Sequence, residues 1–227
     1  MPINKLSKRL EICAGMVSKG CRIADIGTDH AYLPIFLAKN NLISGAIASD
    51  VNTGPLKTAQ KNIKNNGLEK IIKTRISEGL KNIYEDEVDE IIIAGMGGNL
   101  ISEILDKCNF QNKFSKKFIL QPMTREYDLR LYLCNNGYFI ENEKAVYCKN
   151  KVYTVMHVKY TNHKLIFSET YYYIGMILKN YNKDTKLYIE KQIRDLKNKK
   201  NGSHHMKNFS LEKKYDSIIR ILESILH

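Results

Sequence analysis

The chain has 227 residues, 43% hydrophobic and 26% charged, which is typical of a soluble globular protein with room for one large domain and an appendage. No stretch approaches the roughly 18 apolar residues that a membrane-spanning helix needs, and the N-terminus has no signal-peptide pattern. Membrane and secreted classes are therefore disfavoured, and a cytoplasmic location is expected. The five cysteines form no CxxC pair, which predicts reduced, buried thiols and no metal site.

The basic excess is large and unevenly distributed. The formal net charge is +12, and residues 161–227 hold 13 basic and 7 acidic side chains. A basic surface of this kind suits a nucleic acid, whose phosphates supply affinity that does not depend on sequence. The alternative is a genome of biased base composition that favours lysine and asparagine codons, and the composition leaves both explanations open.

In chain order, the hydrophobic pattern predicts an amphipathic helix over 4–19 and then strands that alternate with helices. Gly67 and Gly137 follow two of these helices at positions typical of a helix C-cap. Such alternation indicates βαβ units and a parallel sheet that is covered on both faces. The predicted strands are 21–26, 45–49, 71–76, 88–94 and 117–120, and the predicted helices are 31–40, 55–66, 99–107 and 124–136.

The pattern changes after Gly137. Two strand-like runs, 138–147 and 152–160, are joined by only four residues, 148–151. This connection is too short for a parallel crossover and predicts an antiparallel hairpin. Five alternating strands closed by a hairpin are the topology of the Rossmann-like class I methyltransferases, whereas NAD-binding sheets usually end in another parallel strand. The predicted fold class is α/β, with a seven-stranded sheet over residues 1–160.

The C-terminal part of the sequence has a different pattern of apolar residues. From about residue 164 apolar residues again fall at helical spacings, with a polar break at 197–207. The pattern predicts a small helical appendage, residues 161–227, in which the last two long helices pair antiparallel. His204 and His205 lie in the polar break, where two adjacent histidines are expected to be solvated rather than to bind a metal.

The first predicted strand runs into the segment DIGTDHAYLP (25–34). In a doubly wound sheet ligands bind beyond the carboxyl ends of the strands, and Gly27 would let a ligand approach the backbone there. A GxGxxG loop is absent, and Asp25 and Asp29 would repel a pyrophosphate. They suit instead a ligand with a sulfonium centre and an ammonium group, and S-adenosylmethionine (SAM) has both. The alternative is an aspartate that caps the helix, beside a buried histidine.

Four further strands end in polar or glycine-rich turns at the same edge. Asp50 can accept hydrogen bonds from ribose hydroxyls, as acidic residues do in both NAD and SAM sites. Glu78 and Gly79 suit the adenine amino group, although a plain turn is the alternative. Gly95 stands where methyltransferases of exocyclic amines carry an Asn/Asp-Pro-Pro-aromatic box, which this chain lacks. Gln121 follows at the rim.

Together these segments resemble one family, the bacterial tRNA methyltransferases that modify N1 of adenine 22 in the D-arm. The resemblance spans the first 160 residues, and the pair of DHAYLP with AGMGG is its most specific part. It departs from the family at Glu78, where relatives often have Asp, and at Met123, where they often have Asn. The shared motifs are DIGTDHAYLP (25–34), DVNTGP (50–55), SEGL (77–80), AGMGG (94–98), LQP (120–122) and Asp128-Leu129-Arg130.

The resemblance implies SAM-dependent, in-line methylation of adenine N1 in tRNA, without a metal and with no oligomer required. It also implies that residues 161–227 form a basic helical or coiled-coil domain that binds tRNA. Asp29, His30 and Tyr32 are the implied catalytic residues, which orient the methyl donor or the target base. The implied cofactor-binding residues are Asp25, Gly27, Thr28, Asp50, Val51, Glu78, Gly79, Gly95 and Met96.

Two other functions remain open at this point. A small-molecule methyltransferase could use the same fold, with a closed apolar pocket and no need for a basic tail. A catalytically silent RNA-binding module could have kept the fold without binding SAM. An NAD oxidoreductase fits less well, because GxGxxG is absent and the sheet is predicted to end in a hairpin.

Overall fold

The computed structural model describes residues 6–226. Its centre is a seven-stranded sheet, in which the first five strands run parallel and the last two form an antiparallel hairpin at one edge. The predicted α/β fold class is confirmed. The strands are β1 (Cys21–Ile26), β2 (Ile43–Asp50), β3 (Ile72–Ile76), β4 (Glu90–Gly97), β5 (Lys117–Thr124), β6 (Tyr138–Cys148) and β7 (Lys151–Tyr160).

The strand order is β3-β2-β1-β4-β5-β7-β6, so the connections reverse direction between β1 and β4. Successive residues of the central strands point to opposite faces: Ile92 packs into one core, and Ile91 and Ile93 into the other. Helices α1 to α3 cover the first face, and α4 and α5 cover the second. These helices are α1 (Lys8–Ala14), α2 (Tyr32–Lys39), α3 (Thr53–Asn65), α4 (Gly98–Asp106) and α5 (Glu126–Asn135).

The N-terminal helix and the strands β4 and β5 have different bounds from those predicted. The N-terminal helix is shorter than 4–19, since it ends at Ala14 before Gly15, and residues 4 and 5 lie outside the described range. Strands β4 and β5 continue past residues 94 and 120, because they keep pairing through register shifts that match Met96 with Pro122 and Gly97 with Thr124. The glycine-rich segment after Ala94 is therefore held within the sheet and is not a free loop.

Two further expectations from the sequence concern the state of the cysteines and the presence of membrane-spanning helices. The five cysteines are free thiols, and all except Cys21 are buried. Burial raises the pKa of the Cys13 thiol to about 12, so this thiol stays protonated at neutral pH. Within residues 6–226, no helix combines the length and apolar character that crossing a membrane requires.

Three helices follow the hairpin: α6 (Glu169–Ile174), α7 (Lys183–His205) and α8 (Phe209–Leu226). Helices α7 and α8 pair antiparallel, as predicted, with Lys197 close to Glu223 and Lys200 close to Asp216. The predicted break at 197–207 is wrong, because α7 continues to residue 205 and only 206–208 separate the helices. Lysines are good helix formers, and these two have acidic partners on α8. The coiled coil stays a prediction.

A buried ion pair attaches these helices to the sheet. Arg130 on α5 and Glu143 on β6 are both fully buried, with 2.6 Å between guanidinium nitrogen and carboxylate oxygen. Arg130 also donates to the carbonyl oxygens of Tyr172 and Tyr173, and Glu143 accepts from the backbone N–H of Met176. Burial alone would lower the pKa of Arg130, but the Glu143 carboxylate raises it above its ordinary value, so the arginine stays charged.

We expect Glu143→Gln to lower the free energy of unfolding by about 3–5 kcal/mol, because Arg130 would remain buried without a counter-charge. Urea unfolding followed by circular dichroism measures the change. The matched control is Glu223→Gln, which breaks the exposed pair with Lys197 and should cost less than about 1 kcal/mol. Equal losses from the two variants would contradict a special contribution from the buried pair.

Candidate active site

A cleft opens at the carboxyl ends of β1 and β4, where the strand order reverses. It has a volume of about 410 Å³ and lies beneath the start of α1. This is the position at which doubly wound sheets bind ligands. Its lining includes six residues of the predicted site, namely Asp25, Gly27, Thr28, Asp29, Tyr32 and Gly95.

The turn after β1 is fixed by backbone hydrogen bonds to the neighbouring strand. The N–H groups of Gly27 and Thr28 both donate to the carbonyl of Ser49 on β2, at 2.8 and 2.9 Å. Gly27 has φ +71°, and a Cβ built there would lie 2.2 Å from the terminal methyl of Met96. A residue with a side chain is thus disfavoured by the backbone conformation, and it would also require the Met96 side chain to move. Met96, predicted to bind the cofactor, packs over this turn.

Asp25 lies at the floor of the cleft. Its carboxylate is buried and accepts a hydrogen bond from the hydroxyl of Thr28 at 2.5 Å. Burial raises the pKa of Asp25 to about 6, and the hydrogen bond from Thr28 only partly opposes this effect. Among the described residues no cation forms an ion pair with Asp25. The side chain is therefore an unneutralised acceptor that suits a cationic group of a ligand.

Asp29, His30 and Tyr32 form a group at the side of the cleft. Asp29 has φ +51° and an exposed side chain, and its carboxylate is 3.5 Å from His30 Nε2. The rings of His30 and Tyr32 are 5.2 Å apart between centroids. Asp29 and Tyr32 line the cleft, whereas His30 lies beside it, with a buried Nδ1 that has no hydrogen-bond partner among residues 6–226. Asn62 donates to the backbone carbonyl of His30 and fixes this turn to α3.

The remaining predicted residues lie along the same edge of the sheet but outside the cleft. Asp50 is the last residue of β2 and accepts from the N–H of Asn52, and Val51 beside it is exposed. The Glu78 carboxylate lies 3.7 Å from the ammonium of Lys107, with both side chains exposed, and Gly79 has φ +58°. The structure therefore brings six of the predicted residues into one cleft and leaves Asp50, Val51, Glu78 and Gly79 outside it, near the carboxyl ends of β2 and β3.

Two cations at this site were not predicted from the sequence. Arg9 of α1 and Lys149 of the β6–β7 turn both line the cleft. Arg9 donates to Gln121 Oε1, which also accepts from the N–H of Gly95 at 3.1 Å. Gln121 itself was expected at the rim and is fully buried. The helical pattern around Arg9 predicts only which face of α1 is buried, so no local signal indicates the cleft.

The histidine pair is placed at the end of α7 rather than in a loop. His204 Nδ1 lies 3.2 Å from a carboxylate oxygen of Glu212 on α8. Within the part of the chain that the structure describes, no group of three or more His, Cys, Asp or Glu side chains could hold a metal ion.

The fold and the cleft together define a class of protein. Five parallel strands closed by an antiparallel hairpin, with an acidic glycine turn after β1, are the arrangement of Rossmann-like methyltransferases. Residues 6–156 match the family model of a methyltransferase domain.

Comparison with individual proteins narrows this class. The tRNA (adenine(22)-N(1))-methyltransferase of Bacillus subtilis is 38% identical over 152 residues, 67% of this chain and 64% of that relative. A candidate tRNA (m1A22) methyltransferase of Streptococcus pneumoniae, solved with S-adenosyl-L-methionine, aligns over 98% of this chain and 100% of its own, with 32% identity and a TM-score of 0.84. TrmK of M. capricolum, solved with S-adenosyl-homocysteine, aligns over 96% and 98%, with 30% identity and a TM-score of 0.80. The chain belongs to the family of tRNA (m1A22) methyltransferases.

We expect Asp25→Asn to make the free protein more stable than wild type at pH 7.5 by about 1–3 kcal/mol. The raised pKa means that the folded state holds the Asp25 proton more tightly than the unfolded state. This group's contribution to stability is thus present near pH 4 and is lost as pH rises through 6. The difference between variant and wild type should therefore vanish toward pH 4.

Urea unfolding at pH 4, 5, 6 and 7.5 measures this difference. Asp29→Asn is the matched control, because Asp29 is exposed and asparagine also tolerates its left-handed backbone. A stability gain at pH 7.5 that is the same for both variants would contradict the assignment to burial of Asp25.

Proposed function

We propose that this protein methylates N1 of adenine 22 in the D-arm of tRNA, with SAM as the methyl donor. The observation that carries the proposal is the cleft at Asp25 and Gly95, set in a chain that aligns over nearly its full length with SAM- and SAH-bound relatives. A tRNA substrate places the site of action in the cytoplasm.

The residues present fit this cofactor. Asp25 is a buried carboxylate that forms no ion pair among the described residues, and a Cβ at Gly95 would meet no atom closer than 3.8 Å, so the backbone there is open to the cleft. Asp25, Gly27, Thr28 and Gly95 would hold the methionyl end of SAM, and Asp50, Val51, Glu78 and Gly79 its nucleoside end. Met96 would close the turn at Gly27. When bound, SAM supplies an electrophilic methyl group.

The chemistry asks little of the protein beyond orientation. Adenine N1 has an in-plane lone pair and is largely unprotonated at neutral pH, so no strong general base is needed. Asp29 and Tyr32 line the cleft and can orient the base, with Tyr32 42% exposed and free to stack on it. His30 supports this group through its contacts with Asp29 and Tyr32. Because N1 lies on the Watson–Crick edge, the adenine must leave its stack first.

The C-terminal helices are proposed to hold the tRNA. Residues 161–227 carry nearly twice as many basic as acidic side chains, which suits a phosphate backbone. Deleting these helices would not test tRNA binding alone, because Arg130 and Glu143 are buried against them and would lose backbone partners. We propose the division into 1–160 for catalysis and 161–227 for tRNA binding as a division of roles.

Incubation with radiolabelled SAM and unmodified bulk tRNA, followed by nucleoside mass spectrometry, tests the function. The expected product is 1-methyladenosine at position 22. SAM binding without any methylated tRNA would favour the small-molecule methyltransferase. A failure to bind SAM in calorimetry would favour the silent RNA-binding module.

We expect His30→Ala to lower the single-turnover rate of methylation about 10- to 100-fold, because the Asp29–Tyr32 group loses its packing and orientation. The affinity for SAM should stay within about threefold, since His30 does not line the cleft. Rapid-quench kinetics and calorimetry measure the two quantities.

The matched control is His163→Ala, an exposed histidine outside the cleft, which should leave both quantities unchanged. An unchanged methylation rate in His30→Ala would contradict the positioning role of this group.

A further inference from the structure

A second, larger cavity lies between the methyltransferase sheet and the C-terminal helices. This interhelix groove has a volume of about 770 Å³ and is bounded by the start of α5, the β6–β7 turn, α7 and α8. Its lining contains five tyrosines, six basic side chains and four acidic ones. Tyrosines beside an excess of basic groups suit a nucleic acid. The wall toward the β6–β7 turn and the exposed side of α7 contribute Tyr147, Asn150, Lys151, Tyr153, Arg194 and Lys199 to this lining.

The groove and the cleft share a wall. Lys149 lines the cleft, whereas Asn150 and Lys151, next to it in the chain, line the groove. On the same wall the guanidinium of Arg9, which lines the cleft, lies 5.8 Å from the ring centroid of Tyr153, which lines the groove. The β6–β7 turn therefore stands between the two cavities and presents a lysine to each.

The turn is held in one shape. Lys149 and Asn150 both have left-handed backbone, with φ +50° and +60°, which matches a tight hairpin turn. The hydroxyl of Tyr147 donates to Asn150 Oδ1 at 3.1 Å, and the N–H of Tyr147 donates to Asp184 on α7 at 3.0 Å. The two lysines thus project from a support that is bonded to the helical part.

Several cations of the groove are neutralised, but those of the turn are not. Lys191 lies 3.7 Å from Glu126, and Lys214 lies 2.8 Å from Glu169. Within residues 6–226, Lys149 and Lys151 form no ion pair with a carboxylate, and both are exposed. The same holds for Arg194 and Lys199 farther along the groove. Unpaired cations on a fixed turn are available to an anionic ligand at little cost in desolvation.

We propose that the β6–β7 turn is the point where the RNA strand passes from the interhelix groove into the cleft. Lys149 binds a phosphate on the cleft side of the target nucleotide, and Lys151 binds a phosphate on the groove side. Arg194 and Lys199 continue the phosphate path along α7. This inference rests on the proposed function and names the residues that hold the substrate at its site.

The test uses the full-length protein with Lys149→Gln, Lys151→Gln and the double variant. Each single substitution should weaken tRNA binding about tenfold, the effect of one charged contact to phosphate. The double variant should lose more, and the slope of log affinity against log salt should become shallower by roughly 1 for each lysine. The affinity for SAM should stay within twofold in all three variants.

The matched control is the double variant Lys19→Gln/Lys70→Gln. These lysines are also exposed and have no carboxylate partner in the described residues. They precede β1 and β3, at the amino ends of the parallel strands, whereas the cleft lies at the carboxyl ends. The control removes the same charge and should change tRNA affinity less than twofold.

The outcomes separate the two proposals. If wild type does not methylate tRNA, the proposed function fails. If wild type methylates tRNA and the turn variants behave like the control, the proposed path of the RNA strand over the β6–β7 turn is wrong. A loss of SAM affinity in Lys149→Gln without a loss of tRNA affinity would also overturn it, because Lys149 would then be a cofactor contact.

Discussion

The buried pair of Arg130 and Glu143 is the constraint on which the arrangement of this molecule depends. Both charges come from the methyltransferase part, but part of their hydrogen-bonding capacity is satisfied by backbone groups of residues 172–176. Without those groups, two charges would be left incompletely compensated in the interior, which is costly. Gly175 shows how close the approach is, since a Cβ there would lie 1.9 Å from the Glu143 carboxylate. The helices consequently have one docking position on the sheet.

The cleft shows the opposite use of a buried charge. Among residues 6–226, Asp25 has a hydroxyl partner but no cation, and burial raises its pKa, so the free protein carries a site that opposes its own stability at neutral pH. Such sites are commonly functional, because a ligand with a positive charge can supply the missing partner. The same reasoning explains why the segment has aspartates where a dinucleotide loop has glycines. Its glycine at position 27 adopts the left-handed backbone of the turn, with φ +71°, and also lines the cleft.

Much of the fold could be predicted from the sequence because each strand is a short apolar run and each turn has a local signal. The antiparallel hairpin was predictable because a connection of four residues, 148–151, is too short for the crossover that joins parallel strands. The extent of α7 was not, since its polar stretch is stabilised by acidic residues of α8 that are distant in the chain. Most of the candidate site follows strands in the sequence and could be named in advance. Arg9 and Lys149 could not, because only the folding of α1 and the hairpin onto the sheet brings them there.

The β6–β7 hairpin has a further consequence. Glu143, in the middle of β6, fixes the helices, while Lys149 and Lys151 lie at the turn. The number of residues between Glu143 and the turn therefore sets the distance between the docked helices and the RNA path that we propose. Adding two residues to each strand would keep every side chain on its face but move the turn by about 7 Å. If the RNA follows the proposed path, the length of this hairpin would help to select which nucleotide of an RNA arm reaches the cleft.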